Sequence, residues 1–139
     1  MKQYLLPESG NFYKVNMHSH STYSDGQQTP EELKELYKKH GYHAIAYTEH
    51  EALFDFTHLN DEDFLALTSY EYAIGNYTKP AHSFYEGKPT FFGDVEQMHL
   101  TLYSKDPHNK KHICFNPKFI GGKQKELLGE PEYVGTPDY

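Results

Sequence analysis

The stretch between Phe12 and Thr48 limits the fold more than any other part of the chain. Phe12-Tyr13-Lys14-Val15-Asn16-Met17 leans apolar and reads as a strand. Thr29-Pro30-Glu31-Glu32 then opens a helix: Thr29 is a good N-cap, Pro30 takes the first helical position, and Glu32 at N3 completes a capping box. Leu33, Leu36, Tyr37 and His40 fall at i, i+3, i+4 and i+7, which predicts one apolar helix face. Lys38 and Lys39 stand in the last turn, where the helix dipole favours cations, and Gly41 supplies the stop. Ala44-Ile45-Ala46-Tyr47-Thr48 is a second strand with the look of a buried one. Strand, helix and strand joined by short links imply a parallel βαβ unit with a right-handed crossover.

The rest of the chain extends this pattern. A third strand is predicted over Phe64–Tyr72 and a fourth over Gln97–Tyr103, with a short helical turn or loop within Asp55–Asp63. Ile113-Cys114-Phe115 reads as a short fifth strand or a buried plug, and Lys123–Leu128 as one or two helical turns. Met1–Asn11 is an irregular lead-in broken by Pro7 and Gly10. Gly75–Gly93 is a long polar excursion without a period, and Gly129–Tyr139 reads as loop. No internal repeat is visible.

In parallel α/β folds the ligand site lies at the carboxyl ends of the strands. Most of the metal-ligating residue types in this chain fall there. His18 and His20, two residues apart, leave one face of an extended strand and can reach one ion. Asp25, in the turn-forming Ser24-Asp25-Gly26, can fold back over the same strand end. His50 follows the second strand and Glu71 ends the third. His99 is the exception. It precedes Leu100 and Leu102, so it fits the rule only if its strand starts earlier, near Asp94. Imidazole suits Zn, Fe, Ni and Cu, and mixed His/carboxylate sets also hold Mn. A carboxylate such as Glu71 can bridge two ions, which would activate water against a phosphoryl group without a Ser or Cys nucleophile.

Composition narrows the partners. The formal net charge is −7, and all 13 cationic side chains are Lys, with no Arg. That argues against a general nucleic-acid surface, which needs a basic patch. It leaves Lys as the phosphate partner, Lys110 of the Lys105–Lys111 loop being a candidate. At 139 residues the chain is expected to be a single domain with a real core. Cys114 is the lone cysteine, so no internal disulfide is possible and a reducing compartment is expected. No signal-type apolar region opens the chain and no run is long enough to span a bilayer. These features predict a cytoplasmic protein without membrane contact.

Val15–Gly26, then Thr29-Pro30-Glu31-Glu32-Leu33, then Ala44–His50 together resemble the opening motifs of the polymerase and histidinol phosphatase (PHP) family. Thr68-Ser69-Tyr70-Glu71 is similar to its third motif and His99 to its fourth. The resemblance implies an α/β fold, a distorted (β/α)7 TIM-like barrel, around a site for up to three divalent ions, usually Zn, Mn or Fe. It implies hydrolysis of phosphomonoesters or phosphodiesters, with a phosphorylated small molecule or nucleotide as substrate. It also implies the ligand sets: His18, His20 and Glu71 on one ion, Glu71 and His99 on a second, Asp25 and His50 on a third.

Two departures stand out. Glu49 occupies a position where the family usually has Asp. The family also supplies a further His and an Asp-x-His pair beyond the length of this chain, and His108 and His112 do not match them. The expectation is therefore a partial PHP barrel of about four parallel strands with covering helices, one domain over residues 1–139, truncated before closure. An open parallel sheet leaves an unpaired edge. A second copy of the chain, or a C-terminal fragment that completes the barrel, is then an expected partner. The alternative reading is a non-catalytic module that binds metal or assembles without turnover.

Overall fold

A computed structural model describes residues 9–75, 97–112, 122–129 and 132–133. The order is β1 (Val15–Ser19), α1 (Pro30–Lys39), β2 (Ala44–His50), a 3-10 turn (Thr57–Leu59), β3 (Leu65–Gly75), β4 (Gln97–Tyr103), β5 (Lys111–His112), α2 (Gly122–Leu128) and β6 (Glu132–Tyr133). β1, β2, β3 and β4 form one sheet in that order, and β5 pairs with β6 in a small separate ladder. The proposed fifth strand at 113–115, the strand start near Asp94 and most of the Gly75–Gly93 excursion lie outside the described residues.

α1 forms as its sequence dictates. Thr29 Oγ1 accepts from the Glu32 N–H, and Glu32 Oε2 accepts from the Thr29 N–H, which is the reciprocal capping box. Gly41 ends the helix at φ 74°, a left-handed conformation that suits glycine. The predicted apolar face is only half used. Leu33 is buried and Tyr37 packs against the core, whereas Leu36 and His40 are exposed. The core lies between α1 and one face of the sheet. Leu33 meets Ile45, Tyr47 and Ala66 there, with Ala52, Phe54, Phe56, Leu59 and Phe64 from the β2–β3 connection. That connection supplies aromatic mass in place of a helix, and among the described residues α1, the 3-10 turn and Leu128 of α2 cover the core.

The sheet departs from the expected four parallel strands. β1–β2 and β2–β3 are parallel, but β4 runs antiparallel to β3, with Glu71 opposite Thr101 and Ala73 opposite His99. The sheet is also curled. On a flat sheet β1 and β4 would stand about 14 Å apart, three strand spacings. Here the Tyr103 hydroxyl on β4 donates to the Met17 carbonyl on β1 at 2.5 Å. That contact closes the inner face into a half-barrel.

Candidate metal centre

A β-bulge decides where the first two histidines point. β1 pairs with β2 at Asn16↔Ile45 and next at Ser19↔Tyr47, so β1 carries one extra residue. Asn16 lies on the helix side, where its amide donates to the Tyr37 hydroxyl at 2.6 Å. Unbroken alternation from Asn16 would send His18 and His20 to that side too. The extra residue reverses the alternation and turns both imidazoles to the inner face. His50 and Glu71 are register partners on β2 and β3 and share that face. The antiparallel β4 explains His99. The start of this strand lies at the carboxyl end of β3, so His99 arrives beside Glu71 with no need of an earlier strand start.

The structure brings all six predicted residues together. Glu71 is the centre. Its Oε1 lies 2.9 Å from His99 Nδ1, and its Oε2 lies 3.1 Å from His50 Nδ1, 3.4 Å from His20 Nε2 and 3.7 Å from His18 Nε2. Asp25 stands at the rim, 3.3 Å from His50 Nε2 and 3.6 Å from His20 Nδ1. The His20 and His50 rings stack at 4.4 Å. Two groups have donor atoms close enough to share an ion: His18, His20 and Glu71, and His20, Asp25 and His50. Glu71 is buried, while His18, His99 and Asp25 keep open faces, so the cluster has a dry floor and an accessible mouth.

The donor chemistry fits a divalent ion. Ligands at about 2.0–2.1 Å in a tetrahedron lie about 3.3 Å from one another. The His18 Nε2–His20 Nε2 separation of 3.0 Å and the two Oε2 distances of 3.4 and 3.7 Å bracket that spacing. Proton placement agrees. The Ser24 hydroxyl donates to Glu49 Oε2, which leaves Ser24 Oγ to accept from His20 Nδ1–H at 3.3 Å. His18 Nδ1 lies 3.2 Å from the Thr101 hydroxyl. Both rings can then face each other through Nε2 lone pairs, an arrangement that needs a cation or a shared proton between them. Burial, helped by the neighbouring His50, holds the His20 imidazole below its ordinary pKa against the pull of Asp25 and Glu71. Burial therefore favours the neutral form, which a metal ligand requires.

Glu49 and Gly26, which the sequence marks only as a family departure and a turn residue, support the site through contacts that the tertiary structure sets. Glu49 is wholly buried. Its Oε1 accepts from the Ser21 N–H at 2.9 Å and the Ser21 hydroxyl at 2.5 Å, which ties down the loop that carries Asp25. Burial raises its pKa, opposed by those serine hydrogen bonds. Gly26 packs so tightly that a Cβ there would lie 2.1 Å from the His20 carbonyl oxygen. The Lys105–Lys111 loop leaves β4 at the opposite end of the sheet. The Ser104 N–H bonds to the Thr68 carbonyl, three residues before Glu71 along β3, or about 10 Å away. That position removes the reason for giving Lys110 the phosphate.

At the carboxyl end of a curled sheet, imidazoles and carboxylates converge into groups that could hold divalent cations. The PHP domain family model matches residues 16–115, a span that includes all six cluster residues. The chain belongs to the PHP domain family, whose members are generally metal-dependent phosphoesterases. No curated protein and no solved structure matches it. Among the described residues no helix is long and apolar enough to cross a membrane.

Proposed function

We propose that this chain hydrolyses phosphoric esters with divalent ions held by His18, His20, Asp25, His50, Glu71 and His99. The observation that carries the reading is one buried carboxylate, Glu71, with four imidazoles within 2.9–3.7 Å of its two oxygens. Oε2 faces His18, His20 and His50 while Oε1 faces His99, the disposition of a bridging carboxylate. His18, His20 and Glu71 would hold one ion, Glu71 and His99 a second, Asp25 and His50 a third. Nitrogen with oxygen donors suits Zn, Mn or Fe. Ions in such a site acidify water and withdraw charge from a phosphoryl oxygen.

The protein's own groups do the rest. Glu49, through Ser24, fixes the proton of His20 on Nδ1, and Thr101 orients His18. Tyr103 holds β4 against β1 and keeps His99 on the same face as His18. The open rim at Asp25, His18 and His99 admits a small phosphorylated molecule or nucleotide. The test is elemental analysis of purified protein together with hydrolysis of a generic aryl phosphate. Wild type is expected to bind stoichiometric metal, and Glu71→Gln to lose metal and activity at least about 100-fold. Metal and turnover retained in Glu71→Gln would refute the reading. Metal bound without turnover in wild type, even in excess Mn or Zn, would favour the non-catalytic module.

A further inference from the structure

The turn that follows His50 is held by more contacts than a surface turn needs. Glu51 sits at φ 59°, a left-handed conformation that a Cβ-bearing residue adopts only at a cost. It is nevertheless 3% exposed. Its N–H donates to the Glu71 carbonyl at 2.7 Å, and its Oε1 accepts from the Ala73 N–H at 2.7 Å. One residue thus grips β3 at two points just past the carboxylate at the centre of the cluster, on either side of Tyr72. The turn is in turn gripped from far along the chain. Gln124 on α2, 1% exposed, donates from Nε2 to the His50 carbonyl at 2.7 Å. His112 on β5, wholly buried, accepts the Leu53 N–H on its Nε2 at 2.7 Å.

We propose that Gln124 and His112 are positioning residues for the metal centre: they lock the 50–53 turn, which sets the His50 backbone directly and the Glu71 carboxylate through Glu51. Gln124 lies beyond residues 16–115, so the chain outside the family-matched span would contribute to the site. The chemistry of the contacts supports a positioning role. Both are side-chain bonds to backbone groups that a turn would otherwise leave for water. Both land within three residues of His50, and α2 is anchored to the same core through Leu128. A carbonyl fixed at 2.7 Å constrains the φ and ψ from which the His50 ring projects, and a centre assembled from separate strands tolerates little drift.

This inference rests on the metal-binding reading above, and its test separates the two. Metal-free protein is titrated with Mn and with Zn, and affinity is read calorimetrically beside the melting temperature of the metal-free form. Gln124→Met keeps the side chain's length and removes the donor. It is expected to weaken binding about 10- to 100-fold, the usual cost of losing an outer support. A second pair covers the case in which that variant does not fold. His112→Leu removes the acceptor, whereas His112→Gln keeps one for the Leu53 N–H. Gln at 112 is expected to restore most of the affinity that Leu loses, with the two variants melting within a few degrees of each other. Wild type that binds no metal would sink the metal-binding reading itself. Wild-type affinity in Gln124→Met, or equal affinities in the His112 pair, would overturn the positioning role and leave that reading standing.

Discussion

Glu51→Gln should make the metal-free protein more stable at neutral pH, and by an amount that grows with pH. Burial pushes the Glu51 carboxyl up to about 7, opposed by the Ala73 N–H and reinforced by the charge of Glu71. Its Oε2 is buried with no hydrogen-bond partner among the described residues, so ionisation places charge where little solvates it. An unfolded Glu titrates near 4.3. Between that value and about 7 the folded state holds a proton that the unfolded state has released, so stability falls as pH rises through this window. A shift of roughly 2.5 pH units, at about 1.4 kcal/mol each, corresponds to about 3.5 kcal/mol in full. Gln keeps an acceptor for the Ala73 N–H and nearly the same volume, but it cannot ionise. Urea unfolding of wild type and Glu51→Gln, at pH 5 and pH 8 with chelator present, isolates the effect because other groups largely cancel in the difference. The gap between the two proteins should widen in favour of Gln by about 2.5 kcal/mol from about pH 5 to pH 8, the part of the shift that falls inside that range. Parallel pH profiles would refute the reasoning, because they would mean that Glu51 titrates alike in both states.

Two further outcomes follow from the loop that carries Asp25 and from the outer partners of the histidines. Gly26→Ala would drive a methyl group to 2.1 Å from the His20 carbonyl oxygen and 2.7 Å from Ser21 Cα, both backbone atoms. It should cost about 1–3 kcal/mol or more in thermal or urea unfolding and reduce the number of ions bound; an unchanged melting temperature would contradict the packing. Ser24→Ala and Thr101→Val each remove the hydroxyl that faces an Nδ1 atom, of His20 and His18 respectively. Each should weaken metal binding about tenfold, and Ser24→Ala should also cost about 1–3 kcal/mol because it takes a donor from buried Glu49; titration calorimetry and urea unfolding against wild type check both.

The sequence yields the fold's local logic readily, because that logic is written in short-range chemistry. The capping box at Thr29 and Glu32, the stop at Gly41 and the buried β2 depend on neighbours a few residues away, and all three appear as read. The direction of β4 was not legible. Gln97–Tyr103 has the same strand pattern whichever way it runs, and periodicity carries no information about polarity. Leu36 shares the helix face as read and yet stays exposed, for a related reason. Helical spacing shows which residues share a face, whereas burial depends on what covers that face. The site residues could be read because His, Asp and Glu at strand ends are chemically distinctive. Their supports could not, because Ser24, Thr101 and Gln124 are ordinary surface residue types whose partners are set only by tertiary contact.

The antiparallel β4 also changes what the half-barrel can do. A fourth parallel strand would bring only its last residues to the carboxyl edge, and its inner face would run away from Glu71. Reversed, β4 enters at that edge and lays His99, Thr101 and Tyr103 in turn along the inner face. The first meets Glu71, the second meets His18, and the third reaches the Met17 carbonyl on the opposite edge strand. One strand thus supplies a candidate ligand, the orienting partner of another, and the contact that curls the sheet. Curling also draws β1 toward Glu71: a flat sheet would hold β1 and β3 about 10 Å apart, a span that His18 and Glu71 would cover only by leaning fully toward each other. The metal centre and the curvature of the sheet are for this reason a single structural fact, and a change that flattens the sheet should disperse the ligands before it unfolds the chain.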